Sequence, residues 1–346
     1  MILIRIAVTG VGGGVGQSIM KALSISSLPI EVYPIDVKPL SAGLFRGTGG
    51  VVLPKPEEEN GKSEWERWLK ENSIMGLIQG SDYDLLPLAA VREDWLTRGI
   101  CTVLSSDVDL VQICRDKALT YQYLEKAGIP VPRSAWGLSL EQAVSWADIN
   151  GYPVIIKPRG GFASRNVYLV DDEESLRFFY KRVPNPILQE YLNLSGSIEE
   201  FTCAVFVDKQ GLSVGTFMAR RNLSAGATYR AEIKSWPEIE ELLVSIGKAL
   251  RPRGPINVQL RLTERGPVPF EINIRCSGTS AIRAYFGYNE PEMLIRHYLL
   301  GESLKTPVLR SGYAFRYWNE IFLDGIEENQ LHEMAGNYKG KIILWP

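Results

Sequence analysis

The chain has 346 residues, with 38 Lys and Arg against 40 Asp and Glu, a formal charge of -2, 45% hydrophobic and 23% charged residues. That balance fits a soluble globular chain of two or three domains and excludes wholly disordered, collagenous and coiled-coil classes. With no net basic charge there is no global field for a nucleic-acid backbone, so any phosphate recognition is local.

In chain order, residues 4–8 are apolar and partly β-branched, residues 10–16 are glycine-rich and residues 17–23 have helical spacing. A strand, a loop and a helix are therefore expected first. Residues 30–36 follow at βαβ spacing, and 75–79 and 100–104 add short apolar runs, which predicts a doubly wound α/β layer over residues 1–113. From Asp116 a helix runs to Ala127, stops at Gly128 and is followed by Pro130 and Pro132. Beyond it, strands are predicted at 153–157, 167–170, 187–191 and 201–208, with helices at 173–181 and 238–250, an α+β pattern. Strands at 257–262 and 268–275 flank a Gly-containing turn, and 313–318 reads as an edge strand carrying Arg316 and Tyr317.

Thr9, Gly10, Gly13 and Gly16 match a T-G-x-x-G-x-x-G arrangement, and Asp36 lies 20 residues beyond Gly16, where a ribose-binding acid belongs. One reading is an NAD(P)-dependent oxidoreductase. Against it, the strict G-x-G-x-x-G spacing from Gly10 would end on Val15, and no Tyr is followed by a Lys four residues later. The other reading is a tight strand-to-helix turn that needs glycine for packing.

Over residues 268–275 the pleat sends Val268, Phe270, Ile272 and Ile274 to one face and Glu271, Asn273 and Arg275 to the other. A three-residue loop at 264–266 would pair Gln259 with Glu271, whereas a two-residue loop would separate them. The polar face then offers a carboxylate, two amide oxygens and a guanidinium to one point. Hard oxygen ligands suit Mg²⁺, and Arg275 could stabilise a transferring phosphoryl group; a solvated face of cross-strand pairs is the alternative. Upstream, Lys157 ends an apolar strand, and Arg159, Gly160 and Gly161 open a small-residue loop through Ser164 whose amides can cover phosphates. Gln189, Glu190, Tyr191 and Leu192 end another strand before Glu200.

In this order these segments resemble the ATP-grasp superfamily, especially carbamoyl phosphate synthase large chains and related carboxylate-amine ligases. The matching stretches are Arg115-Asp116-Lys117 with residues 128–132, residues 151–158, Gln189-Glu190-Tyr191, Glu200-Phe201-Thr202 and Phe270-Glu271-Ile272-Asn273-Ile274-Arg275. The resemblance implies α/β plus α+β architecture: a Rossmann-like pre-ATP-grasp domain (1–113), a small subdomain (114–185) and a C-terminal subdomain with the metal-binding hairpin (186–346). It implies that Lys117, Lys157 and Ser164 contact ATP phosphates, that Glu190, Tyr191 and Leu192 border the adenine, and that Glu200 meets the ribose. Gln259, Glu271 and Asn273 would hold Mg²⁺, with Mn²⁺ as an alternative, and Arg275 and Arg221 would be catalytic. Arg220, Arg221 and Gly226 lie in a stretch, 218–234, that resembles a family segment near the acceptor; an exposed basic loop is the alternative. Ile274 stands where the family commonly has proline, and Ala163 and Asn166 stand where it commonly has glycine.

The implied activity is ATP-dependent ligation of a small-molecule carboxylate, through an acyl phosphate, to an amine or other nucleophile. A non-catalytic nucleotide-binding protein is the alternative. Neither nucleic acid nor membrane is an expected partner, and a homodimer is a compatible assembly. Cys101, Cys114, Cys203 and Cys276 have no paired spacing, which argues against zinc or disulfides and for a reducing, cytoplasmic setting. No apolar run approaches the ~20 residues of a membrane span, and the first residues lack the layout of a secretory signal. His297 and His332 lie outside the motifs and read as surface or packing residues.

Overall fold

The computed structural model describes residues 3–161, 165–193, 199–317, 319–323 and 342–344. Five parallel strands, β1 (Ile4–Val8), β2 (Ile30–Asp36), β3 (Val51–Val52), β4 (Gly76–Ile78) and β5 (Thr102–Val103), form an N-terminal sheet in the order β3-β2-β1-β4-β5. Helix α1 (Gly14–Ser24) starts inside the glycine run, three residues before the expected start. The cause is backbone packing. A Cβ on Gly16 would lie 2.5 Å from the Gly10 carbonyl oxygen, and one on Gly80 would lie 2.6 Å from the Gly16 Cα. The glycine spacing thus lets the helix start, the loop and the turn after β4 touch without side chains.

Helices α2 (Gly61–Glu71) and α3 (Asp82–Thr97) complete this layer, α3 being capped by Ser81, whose hydroxyl accepts from the Tyr83 amide. Helices α4 (Val108–Arg115) and α5 (Lys117–Lys126) then meet at Asp116, whose carboxylate accepts from the Ala118 and Leu119 amides. That cap fixes Lys117 at the first position of α5.

A four-stranded antiparallel sheet follows: β6 (Ser134–Trp136), β7 (Val154–Pro158), β8 (Tyr168–Val170) and β9 (Pro186–Glu190), in the order β6-β9-β7-β8, with α6 (Leu140–Asn150) and α7 (Glu173–Tyr180) packed against it. β9 pairs with both β6 and β7, so this sheet runs to Glu190.

The third sheet is antiparallel, in the order β14-β13-β10-β11-β12-β15, formed by β10 (Glu200–Val207), β11 (Ser213–Ser224), β12 (Ala227–Ile233), β13 (Gly254–Thr263), β14 (Gly266–Asn273) and β15 (Gly312–Phe315). The 218–234 stretch is therefore largely a pair of strands, not a loop, and β15 is an edge strand that stops at Phe315, before Arg316 and Tyr317. Helix α8 (Pro237–Leu250) covers one face; α9 (Ser280–Tyr285) and α10 (Glu290–Leu294) cover the other, contacting α1. A single apolar cluster runs from Val8, Ile19 and Leu23 to Phe206, Phe217 and Leu294, so the N-terminal layer and this sheet share a core. The small sheet has its own, built on Val144, Val154, Ile156 and Leu176. Among the described residues no helix is long and apolar enough to cross a membrane. His297 is buried, its Nε2 accepting from the Lys209 amide at 2.9 Å, a packing role; His332 lies outside the described residues.

Candidate active site

Gln259 and Glu271 stand opposite each other, as expected, but by a different route. The turn is the two-residue kind, with Thr263 paired to Gly266, and alone it would have put the two residues out of register. A β-bulge restores them: Leu260 pairs with Pro269, Gln259 with Glu271, and Phe270 is the extra residue. The bulge also breaks the alternation. Phe270, expected on the oily face, lines the cleft together with Glu271, while Ile272 and Ile274 remain buried.

Two adjoining chambers of about 290 and 230 Å³ lie between the small and large sheets, and Lys117, Gly161, Phe270 and Glu271 line both. Lys117 donates to the Gly161 carbonyl at 3.1 Å. Lys157, 5% exposed, reaches the Tyr121 hydroxyl at 3.2 Å and the Phe270 carbonyl at 3.4 Å. The Tyr121 hydroxyl in turn lies 2.6 Å from that carbonyl and 2.9 Å from Gln189 Oε1. Burial, with Lys117 nearby, pulls the Lys157 ammonium down to about 7, and burial also lowers Lys117 against the opposing pull of Glu271. Two desolvated ammoniums facing one space form a site that gains most from a polyanion.

The remaining residues divide into those that face this space and those held elsewhere. Glu271 accepts from Asn273 Nδ2 at 3.0 Å, and both line the larger chamber. Gln259, Glu200 and Arg221 line the smaller one. Arg221 donates to Gln259 Oε1 and Glu200 Oε1, both at 2.8 Å, while Arg261 donates to Glu200 Oε2 from Nη2 at 2.9 Å and Nε at 3.1 Å. With a further bond from Arg221 Nε at 3.2 Å, the Glu200 carboxylate has little acceptor capacity left. Leu192 lines the smaller chamber and its carbonyl accepts from Arg261; the Arg261 guanidinium lies 5.2 Å from the Tyr191 ring centroid.

Glu190 turns its side chain away, to Arg133 at 2.8 Å and to Arg265; burial would raise its carboxyl, but these bonds hold it below the usual range. Arg275 lines neither chamber. Its guanidinium grips Asp82 through two bonds of 2.7 and 2.8 Å, tying the hairpin to the start of α3. Ser164 lies outside the described residues.

Residues 182–321 match the family described as ATP-grasp in the biosynthetic pathway with Ter operon, and residues 116–185 match the carbamoyl-phosphate synthase L chain ATP binding domain. Both are ATP-grasp domain families, and together they cover residues 116–321. The glutamate–LysW ligase of Sulfurisphaera tokodaii is 41% identical over 92 residues, 27% of this chain and 31% of that protein. The carbamoyl phosphate synthase large chain of Thermomicrobium roseum is 25% identical over 247 residues, 61% of this chain and 22% of that protein. The chain thus spans about a third or less of these two curated relatives. Among solved structures, the biotin carboxylase domain of Hydrogenobacter thermophilus 2-oxoglutarate carboxylase, in complex with MgADP, ADP and bicarbonate, superposes with a TM-score of 0.70 at 17% identity, covering 90% of this chain and 74% of that one.

The cleft also contains residues that the motifs do not include. Tyr121 lies four positions after Lys117 on α5, so it shares that helix face, a signal present in the spacing. Arg261 was visible on the same strand face as Gln259. Phe270 was hidden by the bulge, and the Asp82 to Arg275 pair spans 193 positions, with no local signal.

The donor set fits a nucleotide-bound divalent cation rather than a protein-only site. Glu271, Gln259 and Asn273 are hard oxygen donors with one carboxylate among them, and no cluster of three His, Cys, Asp or Glu side chains able to hold a metal occurs among the described residues. Gln259 Oε1 would first have to be released by Arg221.

A pH effect follows from Lys157. If the phosphates of a bound nucleotide restore its ordinary basicity, binding below pH 7 finds the lysine already charged, whereas binding above pH 7 requires proton uptake. Uptake should therefore rise toward about one proton as pH passes 7, and affinity should fall by up to about tenfold per pH unit until the pKa of the bound state is reached. Titration calorimetry of MgADP in buffers of different ionisation enthalpy measures this; Lys157→Met should abolish the uptake.

Proposed function

We propose that the chain is an ATP-dependent ligase that activates a small-molecule carboxylate as an acyl phosphate for attack by an amine or other nucleophile. The observation that carries this reading is the convergence of Lys117, Lys157, Glu271 and Asn273, from three separate elements, on one cleft between two sheets. In the reaction, a carboxylate oxygen attacks the γ-phosphorus, the bond to the ADP oxygen breaks, and an acyl phosphate forms. The nucleophile then attacks the acyl carbon, phosphate leaves with the bonding pair, and the nucleophile's proton passes to water. Such a transition state spreads negative charge over phosphoryl oxygens, so cations and alignment supply most of the catalysis.

Lys117 and Lys157 hold the phosphates in this proposal. Tyr121 fixes the Lys157 ammonium, and Arg221 turns from Gln259 toward the transferring group. Arg275, held by Asp82, keeps the hairpin against the N-terminal layer. Glu271 and Asn273, completed by Gln259, would hold Mg²⁺, which neutralises phosphate charge when bound; Mn²⁺ takes the same oxygen ligands. Leu192 and the Gln189 to Leu192 backbone border the base, and Glu200 reaches the ribose once an arginine leaves it. Residues 1–113 serve as the Rossmann-like pre-ATP-grasp domain, and a homodimer in a reducing cytoplasm is the proposed assembly and setting.

A coupled ADP-release screen over paired carboxylates and amines tests the activity. Release stimulated by one pair and lost in Lys117→Ala is the expected result. MgADP binding with no pair stimulating release would leave a nucleotide-binding protein without ligase activity.

A further inference from the structure

A third cavity, of about 920 Å³, lies in the N-terminal layer over the glycine loop, and the chemistry described above does not use it. Its lining combines loop backbone from Gly10 to Gly14 with charged side chains of both signs, among them Asp36, Asp84, Lys38 and Lys55. Asp82 lines both this cavity and the larger chamber of the cleft, and Arg165 lines both this cavity and the smaller one. These two side chains therefore mark the passage between the cavity and the phosphate-binding space.

They are not equivalent in charge. Asp82 is neutralised by the bidentate grip of Arg275, which leaves neither as a free charge. Arg165 is exposed, has the Tyr83 hydroxyl at 3.5 Å, and pairs with no carboxylate among the described residues. Its neighbour Asn166 has φ of 56°, a left-handed turn placed where Arg165 faces both spaces. A planar guanidinium in that position matches a carboxylate through two parallel N–H bonds, a geometry an ammonium cannot reproduce.

We infer that Arg165 is the specificity-determining residue for the carboxylate substrate, binding its carboxylate at this passage while the rest of the molecule occupies the N-terminal cavity. The inference rests on the ligase reading and narrows it. A cavity of about 920 Å³ with acidic and basic walls suits an amino acid or short peptide, and bicarbonate would leave nearly all of it unfilled.

The test uses full-length ¹⁵N-labelled protein saturated with MgADP and follows the Gly12, Gly13 and Gly14 amide signals during titration with sodium glutamate, the dipeptide glycyl-glutamate, or bicarbonate. Saturable shifts with glutamate or the dipeptide are expected. Their affinity should fall by about tenfold or more in Arg165→Gln, recover in part in Arg165→Lys, and be absent for bicarbonate. Because Arg165 also lines the smaller chamber, calorimetric MgADP affinity should fall in both variants by less than the probe affinity does. No saturable shift with either amino-acid probe, a response to bicarbonate alone, equal affinity in Arg165→Gln, or a loss of MgADP affinity as large as that of probe affinity would each overturn the assignment. Failure of wild-type protein to bind MgADP would instead reject the underlying ligase reading.

Discussion

Glu271→Gln is expected to reduce ADP formation by on the order of 100- to 1000-fold and to weaken MgADP binding, with little change in thermal stability. Glu271 is the carboxylate that lines both chambers of the cleft, and its partners on the hairpin, Gln259 and Asn273, are neutral amides. Gln keeps the size of the side chain while removing the site's anionic ligand, and a divalent cation carried by a nucleotide still needs at least one such group from the protein. Steady-state ADP release and calorimetric titration measure the effect, with circular dichroism as the check on folding. Wild-type affinity for MgADP in this variant would show that the hairpin is not the metal site.

The second large effect concerns stability. Arg283 and Glu290 are both 0% exposed and form a 2.6 Å ion pair between α9 and α10, and Arg283 also donates to Asn257 Oδ1 at 2.6 Å and to the Cys203 carbonyl at 3.1 Å. Ser280 donates to the other Glu290 oxygen, also at 2.6 Å. Glu290→Ala leaves a buried guanidinium without its counter-charge, so a loss of about 3–5 kcal/mol is expected, read as a lower urea midpoint. The double variant Arg283→Met with Glu290→Leu removes both charges and should recover most of that loss. The consequence extends to the cleft, because Asn257 pairs in register with Asn273. A urea midpoint unchanged in Glu290→Ala would contradict this account.

Much of the architecture was legible because periodicity and caps are local. The first strand, the glycine turn, the Asp116 cap that places Lys117, and the Lys157 strand end all follow from neighbouring residues. The opposition of Gln259 and Glu271 was expected, yet the reasoning behind it required a longer turn; two irregularities, a shorter turn and a bulge at Phe270, cancel. Sequence patterns do not show such compensation, since a bulge changes register without changing composition. Long-range ion pairs were equally hidden. Nothing near Arg275 indicates Asp82, and nothing near Glu190 indicates Arg133, so the motifs do not show the partners that hold these two side chains.

A crystal structure of the protein with Mg²⁺ and ADP tests the central claim most directly. The account predicts the phosphates between Lys117 and Lys157, with the cation on Glu271 and Asn273. Nucleotide seated instead over the glycine loop at Gly10 to Gly16, with no cation at the hairpin, would contradict it.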